Sequence, residues 1–329
     1  MKKNLNTFAT FRLPNESDFY SVSSEDYSIQ PEFELKENGF YISDFEQKNN
    51  LFIPLNNVLK NEFVTCKMIL NDSPKEETKE NYLQQIENIT QEIQKKNYTK
   101  IVHSRVKLVD KQNDFDFKST FKSLCDKYPT AFVYVFYSEK IGLWIGATPE
   151  LLIKKKENNK YQTVSLAGTK TTNRNWTEKE IHEQQCVTDF IQKTLENKTS
   201  KIEISKAKDS MAGTLIHLKS NINFELESDN KLGNVIKTLH PTPAVCGIPQ
   251  LKAKEYILKT ENYNRDFYTG FLGFKNLYNQ TNLFVNLRCM QVCKTNLALY
   301  IGGGIMANSI PEDEWNETEN KAKTMLSIL

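Results

Sequence analysis

The chain has 329 residues, of which 26% are charged and 39% are apolar, and its formal net charge is +2. This length allows one large domain or two of ordinary size, and the composition is typical of a globular protein. The small net charge does not favour a nucleic-acid-binding or membrane-surface protein, and no apolar run approaches the roughly 18 residues of a membrane span. Two lysines near the start are not followed by an apolar segment, so we expect no secretory signal and a cytoplasmic location.

The first 70 residues are predicted to form short strands that are integral to the fold, for example TFATFRL and NGFYISDF. A long helix should follow in NDSPKEETKENYLQQIENITQEIQKKN, with Ser73 as its N-cap, Pro74 at the first helical position and Glu76 completing a capping box. Apolar residues recur in this segment with helical spacing. They are Tyr82, Leu83, Ile86, Ile89 and Ile93.

The middle of the chain contains three strand-like runs, AFVYVFYS, GLWIGATPELLIKK and YQTVSLAGTK, and then a second long helix in NWTEKEIHEQQCVTDFIQKTLEN. The core candidates of that helix are Ile181, Val187, Phe190, Ile191 and Leu195. Two short helices flank HPTPAVCGIP, three more strands follow, and a last helix should begin near Pro311. Because strands adjacent in sequence are joined by short turns, we expect mostly antiparallel sheet in an α+β fold, not a Rossmann sheet or a TIM barrel.

Six scattered cysteines form no Cys-x-x-Cys pair. Two of them, Cys289 and Cys293, are four residues apart in an apparent strand, but no histidine is near them in the sequence. We therefore expect six reduced and mostly buried thiols, not a zinc site or a set of disulfides.

Two predicted helices each carry a pair of glutamates three residues apart, Glu180 with Glu183 and Glu314 with Glu317. Residues at this spacing share one face of a helix. Taken alone, either pair is more typical of a solvated surface. If the two faces converge, however, the four carboxylates would repel one another unless a cation lies between them. An all-oxygen set of this kind suits Mg²⁺.

Several strand ends carry polar residues or glycines. Glu150 directly follows Pro149 at the end of an apolar strand, and Gly168 and Thr169 end another. Further along, IGGGI contains three consecutive glycines, whose backbone amides can approach an anion closely. Individually these motifs are weak, since a run of glycines is more often a tight turn than an anion site.

The order of the motifs is more specific than any one of them. KIVHSR, GATPELL, SLAGT, KE-x-HE, LHPTPAV-x-G-x-P, R-x-x-Y-x-G-x-x-G, NLR, GGGI and E-x-x-ET-x-x-K follow one another between residues 100 and 321. This set strongly resembles the chorismate-utilising enzymes, which include isochorismate synthase, salicylate synthase and the first components of anthranilate and aminodeoxychorismate synthases. The resemblance covers roughly the C-terminal two-thirds of the chain. It implies one large domain of α/β sandwich type, with layered, mostly antiparallel sheets flanked by helices and residues 71–329 as the chorismate-binding catalytic region.

The resemblance assigns a role to each of the four paired glutamates. Glu183 and Glu317 would bind Mg²⁺, while Glu180 and Glu314 would contact the water ligands of the metal. The metal would then orient the ring carboxylate of chorismate and neutralise its charge.

The resemblance also implies a set of substrate-binding residues. Arg288 would bind the second carboxylate, on the enolpyruvyl arm, because its planar fork suits a carboxylate, although an internal salt bridge is the alternative for an arginine in such a strand. Lys321 corresponds to the family lysine at the metal and carboxylate site, although it is also spaced for a plain helical ion pair with Glu317. The other implied contacts are Tyr268, His240 near the leaving hydroxyl, Gly168, Thr169, Gly302, Gly303 and Gly304.

Two positions bear on the nucleophile. Lys100 matches the base that activates water in isochorismate and salicylate synthases, where anthranilate synthases usually have glutamine. Ala167 stands where aminodeoxychorismate synthases carry a nucleophilic lysine, so water is the expected nucleophile. Lys100 can act as the base only as a neutral amine in a poorly solvated site, and Glu150 can act as the acid only if its pKa is raised.

The resemblance therefore implies a Mg²⁺-dependent isochorismate synthase, an isomerase that adds water at C2 of chorismate and removes the C4 hydroxyl. Salicylate synthase, which adds pyruvate elimination, stays an alternative. A non-catalytic homologue that binds magnesium and an anion is disfavoured, since a binding module needs neither Lys100 nor Glu150. We expect chorismate as the partner, with no nucleic acid and no membrane, and a monomer. Isochorismate feeds both menaquinone and siderophore biosynthesis, and the sequence leaves that choice open.

Overall fold

The computed structural model describes residues 6–170, 174–212 and 215–329. Within these ranges no helix combines the length and the apolar character needed to cross a lipid bilayer. The helices are α1 (Lys79–Gln94), α2 (Phe117–Lys127), α3 (Glu178–Glu196), α4 (Leu232–Leu239), α5 (Gln250–Thr260) and α6 (Pro311–Leu326). The strands are β1 (Thr7–Arg12), β2 (Phe19–Ser23), β3 (Ser28–Gln30), β4 (Gly39–Ser43), β5 (Asn50–Pro54), β6 (Val58–Lys60), β7 (Lys100–Asp110), β8 (Phe132–Ser138), β9 (Gly142–Thr148), β10 (Leu151–Glu157), β11 (Lys160–Lys170), β12 (Lys201–Ile204), β13 (Lys208–Ala212), β14 (Leu215–Glu225), β15 (Gly247–Ile248), β16 (Phe271–Leu277), β17 (Gln280–Val285), β18 (Cys289–Val292) and β19 (Asn296–Ile305).

These strands form two large antiparallel sheets. The first sheet has nine strands in the order β15-β7-β19-β18-β9-β8-β1-β2-β6. The second has ten, in the order β12-β14-β11-β10-β17-β16-β4-β5-β3, with β13 paired to β14. The first six strands of the chain are divided between the two sheets, so the N-terminal region pairs directly with later strands. The boundary near residue 70 stays a prediction.

The two sheets pack face to face through aromatic side chains. Because side chains alternate across a strand, one face of each strand can point into the space between the sheets. The rings of Phe132 from the first sheet and Phe284 from the second stack with their centroids 4.3 Å apart. Phe11 of the first sheet likewise stacks on Phe40 and Phe274 of the second, at 4.9 and 5.3 Å. This aromatic layer holds the sandwich together.

Helices cover the outer faces of both sheets. Phe121 of α2 and Met325 of α6 are buried with the outer residues of the nine-stranded sheet. Val187 of α3 and Val235 of α4 are buried with those of the ten-stranded sheet. The remaining helices, α1 and α5, pack near the start of β7, where Ile101 is buried. The predicted α+β class, with layered antiparallel sheets flanked by helices, is confirmed.

The predicted start of the first helix is wrong by about one and a half turns. The helix begins at Lys79, and its N-cap is Thr78, not Ser73. Ser73 instead bonds to Asn296 at 3.2 Å, and Glu76 accepts the backbone N–H of Leu108 at 2.9 Å. The capping pattern is present in the sequence, but contacts with β7 and β19 keep the segment extended and override the local preference.

One predicted core position of the second long helix is also wrong. Ile181 is 52% exposed, whereas Val187, Ile191 and Leu195 are buried as predicted. The reason is that Glu180 and Gln184 occupy the buried side of the first turns, where Glu180 packs against Gly168 of β11, and Ile181 lies off that side.

We expect Phe132→Ala to lower the free energy of unfolding by about 3–5 kcal/mol, because it removes a stacked ring between the sheets and leaves a cavity. Urea denaturation followed by circular dichroism measures this change. Leu251→Ala is the control, since that side chain is 72% exposed on α5 and should cost less than about 0.5 kcal/mol. Equal effects of the two substitutions would contradict the proposed importance of the inter-sheet layer.

Candidate active site

One cleft gathers most of the charged residues that the sequence analysis singled out. It encloses about 1090 Å³, including the solvent at its mouth, and lies among β7, β11, β19, α3 and α6. The short segments that follow β9 and β17 form another part of its wall, through Pro149 and Glu150 and through Leu287 and Arg288. The ionisable residues that line it are Lys100, Glu150, Glu180, Glu183, His217, Tyr268, Cys289, Tyr300, Arg288, Glu317 and Lys321.

The glycines at the end of β19 allow side chains from three elements to meet there. A Cβ atom on Gly304 would lie 2.7 Å from Cε of Lys100 and 2.9 Å from Oε1 of Glu183. A Cβ atom on Gly303 would lie 3.3 Å from Oε2 of Glu314. Any side chain at Gly304 would therefore displace the residues that now contact the strand.

Two of the predicted metal ligands are paired with lysines. Nζ of Lys100 lies 2.6 Å from Oε1 of Glu183, and Nζ of Lys321 lies 2.6 Å from Oε1 of Glu317. Lys321 also donates a hydrogen bond to the backbone carbonyl of Gly302 at 2.9 Å. The helical ion pair considered for Lys321 is therefore present, and the same side chain also lines the cleft.

Glu150 differs from these carboxylates in its protonation. It is 6% exposed, and burial raises its pKa to about 7, although the charges of Lys100 and Lys321 partly oppose the shift. Its backbone carbonyl accepts the N–H of Val285 at 2.9 Å, which fixes the residue between β9 and β10. At neutral pH a large fraction of Glu150 therefore carries a proton, as a general acid requires.

Arg288 is held in an unusual backbone conformation. Its φ angle of 49° lies in the left-handed region, which costs a non-glycine residue on the order of 1 kcal/mol or more. Nη1 donates to the hydroxyl of Thr324 at 2.9 Å, and burial lowers the pKa of the guanidinium. In the described part of the chain Arg288 makes no ion pair within 4.0 Å, so the internal salt bridge considered for it is not present there.

Glu180 lines the cleft and also caps its own helix. Its Oε2 accepts the backbone N–H of Thr177 at 2.8 Å, and Oε1 lies 3.7 Å from Arg174. Burial raises its pKa, but the hydrogen bonds from Thr177 and the charge of Arg174 bring the net pKa below its ordinary value. Gly168, at φ 72°, lets α3 approach closely, because a Cβ there would lie 3.0 Å from the carbonyl oxygen of Glu180. The side chain of Thr169 lies outside the described residues.

Tyr268 and His240 have different positions relative to the cleft. Tyr268 lines it, stacked on Tyr300 with centroids 5.7 Å apart and its hydroxyl close to Gly302. His240 is not among the described residues that form the cleft wall, and its ring packs edge-on against Phe271 at 4.9 Å. Burial lowers its pKa to about 3, so it is neutral. Its role stays a prediction.

His217 lies in the wall of the cleft but was not predicted as a site residue. Its Nδ1 is 3.1 Å from the carbonyl oxygen of Gly168, and since a carbonyl only accepts, Nδ1 carries the proton. Burial, together with the charges of Arg288 and Lys321, lowers its pKa to about 4. The signal in the sequence was a single histidine within the apolar run TLIHL, which resembles many buried strand residues.

The residues present fit a hard divalent cation by their chemistry. Glu183 and Glu317 are oxygen ligands in one cleft, and Mg²⁺ needs only one or two carboxylates when waters and a substrate anion supply the rest. Because Gly303 and Gly304 carry no side chains, the carboxylates of Glu183 and Glu314 can approach β19 closely. As the described side chains stand, no three His, Cys, Asp or Glu residues form a metal-binding group.

A family model described as "Chorismate binding enzyme" matches residues 41–329. Isochorismate synthase DhbC of Bacillus subtilis is 34% identical over 201 residues, which cover 56% of this chain and 50% of that protein. Isochorismate synthase EntC of Escherichia coli K12 is 28% identical over 200 residues, covering 57% and 51%. The chain thus spans about half the length of these two curated relatives.

Solved structures resemble the whole chain more closely in shape than in sequence. MenF, the menaquinone-specific isochorismate synthase from Escherichia coli, has a TM-score of 0.85 at 18% identity, covering 100% of this chain and 90% of that one. Anthranilate synthase component I from Streptococcus pneumoniae has a TM-score of 0.74 at 17% identity, covering 99% and 92%. At these identities the likeness shows a shared fold. Since the family model covers most of the residues, the chain belongs to the chorismate-binding enzymes.

Proposed function

We propose that this chain is a Mg²⁺-dependent isochorismate synthase, which converts chorismate to isochorismate by attack of water at C2 and loss of the C4 hydroxyl. The observation that carries the proposal is the presence of Lys100 and Glu150 in one cleft, with the pKa of Glu150 near 7. The similarity of the chain to isochorismate synthases DhbC and EntC supports the same reaction.

The reaction needs one base and one acid, and the cleft offers both. The amine of Lys100 takes a proton from water as the oxygen bonds to C2, and the ring double bond shifts as the C4–O bond breaks. Glu150 donates its proton to the departing hydroxyl, which leaves as water. One water enters and one leaves, so the product is an isomer of the substrate, and exchange with solvent restores both side chains.

The charges of the cleft suit a substrate with two carboxylates. When Glu150 is protonated and Lys100 is the neutral amine that the reaction requires, two cationic side chains face three carboxylates in the wall. The cations are Arg288 and Lys321, and the carboxylates are those of Glu180, Glu183 and Glu317. A bound divalent cation would leave one positive charge, which would offset part of the double negative charge of chorismate. Arg288 would bind the carboxylate of the enolpyruvyl arm.

Glu183 and Glu317 would hold the Mg²⁺, and Glu180 and Glu314 would accept hydrogen bonds from its waters. The metal would supply charge neutralisation and orientation for the ring carboxylate. Because Glu183 now contacts Lys100 at 2.6 Å, its recruitment as a ligand would also release the amine from its ion pair.

Incubation of the protein with chorismate and Mg²⁺ should yield isochorismate, measured by liquid chromatography. EDTA should stop the reaction, because it would remove the Mg²⁺ that is proposed to orient the ring carboxylate of chorismate. Added Mg²⁺ should restore the reaction. Salicylate as the main product would replace the proposed reaction by the salicylate synthase alternative. Unchanged chorismate would contradict the proposed function.

We expect Lys100→Ala to lower kcat by about 10²–10⁴-fold, because the variant has no base for water, while chorismate still binds. Steady-state rates and calorimetric titration with chorismate measure the two effects. Lys107→Ala is the matched control, since Lys107 lies on the same strand but pairs with Glu319 outside the cleft. Wild-type rates in Lys100→Ala would remove Lys100 from its assigned role.

The value of kcat/KM should fall as pH rises above about 7, because burial raises the pKa of Glu150 to about 7 and only its protonated form can donate. Glu150→Gln should abolish this decline together with nearly all activity. The decline is measured from initial rates across pH 5.5–9. A profile that stays flat up to pH 9 would contradict Glu150 as the acid.

The same substitution should stabilise the fold at high pH. In the folded protein the pKa of Glu150 lies above its unfolded value, so the wild type loses stability as pH rises from about 4.5 through 7. We therefore expect Glu150→Gln to exceed the wild type by about 1–3 kcal/mol above pH 7 and to match it below pH 4.5. Urea melts at pH 4 and pH 8.5 test this, with the exposed Glu87→Gln on α1 as the control.

A further inference from the structure

A second cavity adjoins the cleft and is separated from it by only three residues. This side cavity encloses about 1240 Å³, including the solvent at its mouth, between β10, β11, β14 and β17 and the loop after β1. Pro149, Leu166 and His217 line both this cavity and the cleft. A small molecule in the side cavity would thus contact the same side chains that face the reaction centre.

The side cavity contains two lysines that no carboxylate neutralises in the described part of the chain. Lys219 is partly buried on β14, and burial lowers its pKa with no contribution from a neighbouring acid. Lys154 lies on β10 of the same sheet, and within the described residues neither lysine makes an ion pair within 4.0 Å. Among the described residues of the wall, the acidic one is Glu16, which is exposed.

The position of Lys219 is unfavourable for stability. Lys208 stands directly opposite on β13, and like charges in facing positions of neighbouring strands are destabilising. Asp209 cannot relieve the repulsion, because it pairs with Leu218 and its carboxylate is occupied by Trp176 at 2.8 Å and Lys170 at 3.4 Å. A cation in this place is therefore better explained by an anionic ligand than by the fold.

The rest of the side cavity suits a small ring that carries carboxylates. Its apolar wall is formed by Leu151, Val164, Leu166 and Phe284, which can contact the faces of a carbocycle. The amide side chains of Gln162 and Asn282 lie on the strands next to Lys154 and can bond to hydroxyl or carboxylate oxygens. This combination matches the chemistry of the substrate proposed for the cleft.

We propose that the side cavity is an anion-binding entrance site of the cleft. In it, Lys219 binds a carboxylate of the substrate before the substrate passes Leu166 and His217. The inference rests on the proposed function and adds a binding step to it. Positive charge at such a place raises the rate of encounter with an anionic substrate and leaves the chemical step unchanged. Lys219 therefore affects KM and its salt dependence, and not kcat.

Steady-state kinetics with chorismate across a series of NaCl concentrations tests the proposal. Lys219→Ala should raise KM by roughly 3–10-fold with kcat within about twofold of the wild type, and the fall of kcat/KM with salt should become shallower. Lys219→Arg should retain most of the wild-type behaviour. The matched control is Lys208→Ala, which removes the same charge from the facing strand outside the side cavity and should have little effect.

The outcomes separate this inference from the proposed function. If the wild type converts chorismate but Lys219→Ala leaves KM and its salt dependence unchanged, the proposed entrance site is wrong and the proposed function stands. Equal effects of Lys219→Ala and Lys208→Ala would also overturn it, since they would indicate general attraction to the surface. If the wild type does not convert chorismate, the proposed function is wrong, and the proposed entrance site is then wrong as well. Thermal melting of each variant excludes misfolding as the cause of a change.

Discussion

The absence of side chains at the end of β19 is the constraint on which the candidate site depends. Lys100 arrives from the neighbouring strand, Glu183 from α3 and Glu314 from α6, and each comes close to Gly303 or Gly304. Carboxylates brought together in this way would repel one another, and burial would make the repulsion stronger. The lysines that contact two of the glutamates offset this cost. The glycines permit the close approach of the carboxylates, and the ion pairs stabilise it.

The same physical logic gives the carboxylates of the cleft different roles. Glu183 and Glu317, the proposed metal ligands, each have a lysine at 2.6 Å. Glu150 feels the charge of two lysines without an ion pair to either in the described structure, so burial dominates and its pKa rises to about 7. One cleft therefore holds ion-paired carboxylates beside a carboxyl group that is largely protonated near neutral pH.

Periodicity and spacing were sufficient to predict the antiparallel sheets, the long helices and the paired glutamates, because these depend on local sequence. The start of α1 was wrong because contacts of Glu76 with β7 outweigh a capping pattern that is present in the sequence. The pairing of Lys100 with Glu183, 83 residues away, follows from the fold and has no local signal. The left-handed backbone of Arg288 and the position of His217 likewise depend on strand geometry that a single sequence does not reveal.

Strand β7 contributes to the candidate site in two ways, through its own Lys100 and through the contacts of Arg105 with α6. Arg105, on the same strand as Lys100, donates from Nε to the hydroxyl of Thr318 at 2.8 Å and lies 3.8 Å above the ring of Trp315. It also contacts Glu319. These contacts surround Glu317 in the helix and fix the rotation of α6 about its axis. Since β7 carries the proposed base and also anchors the helix that carries a proposed metal ligand, a shift of this one strand would move both groups together.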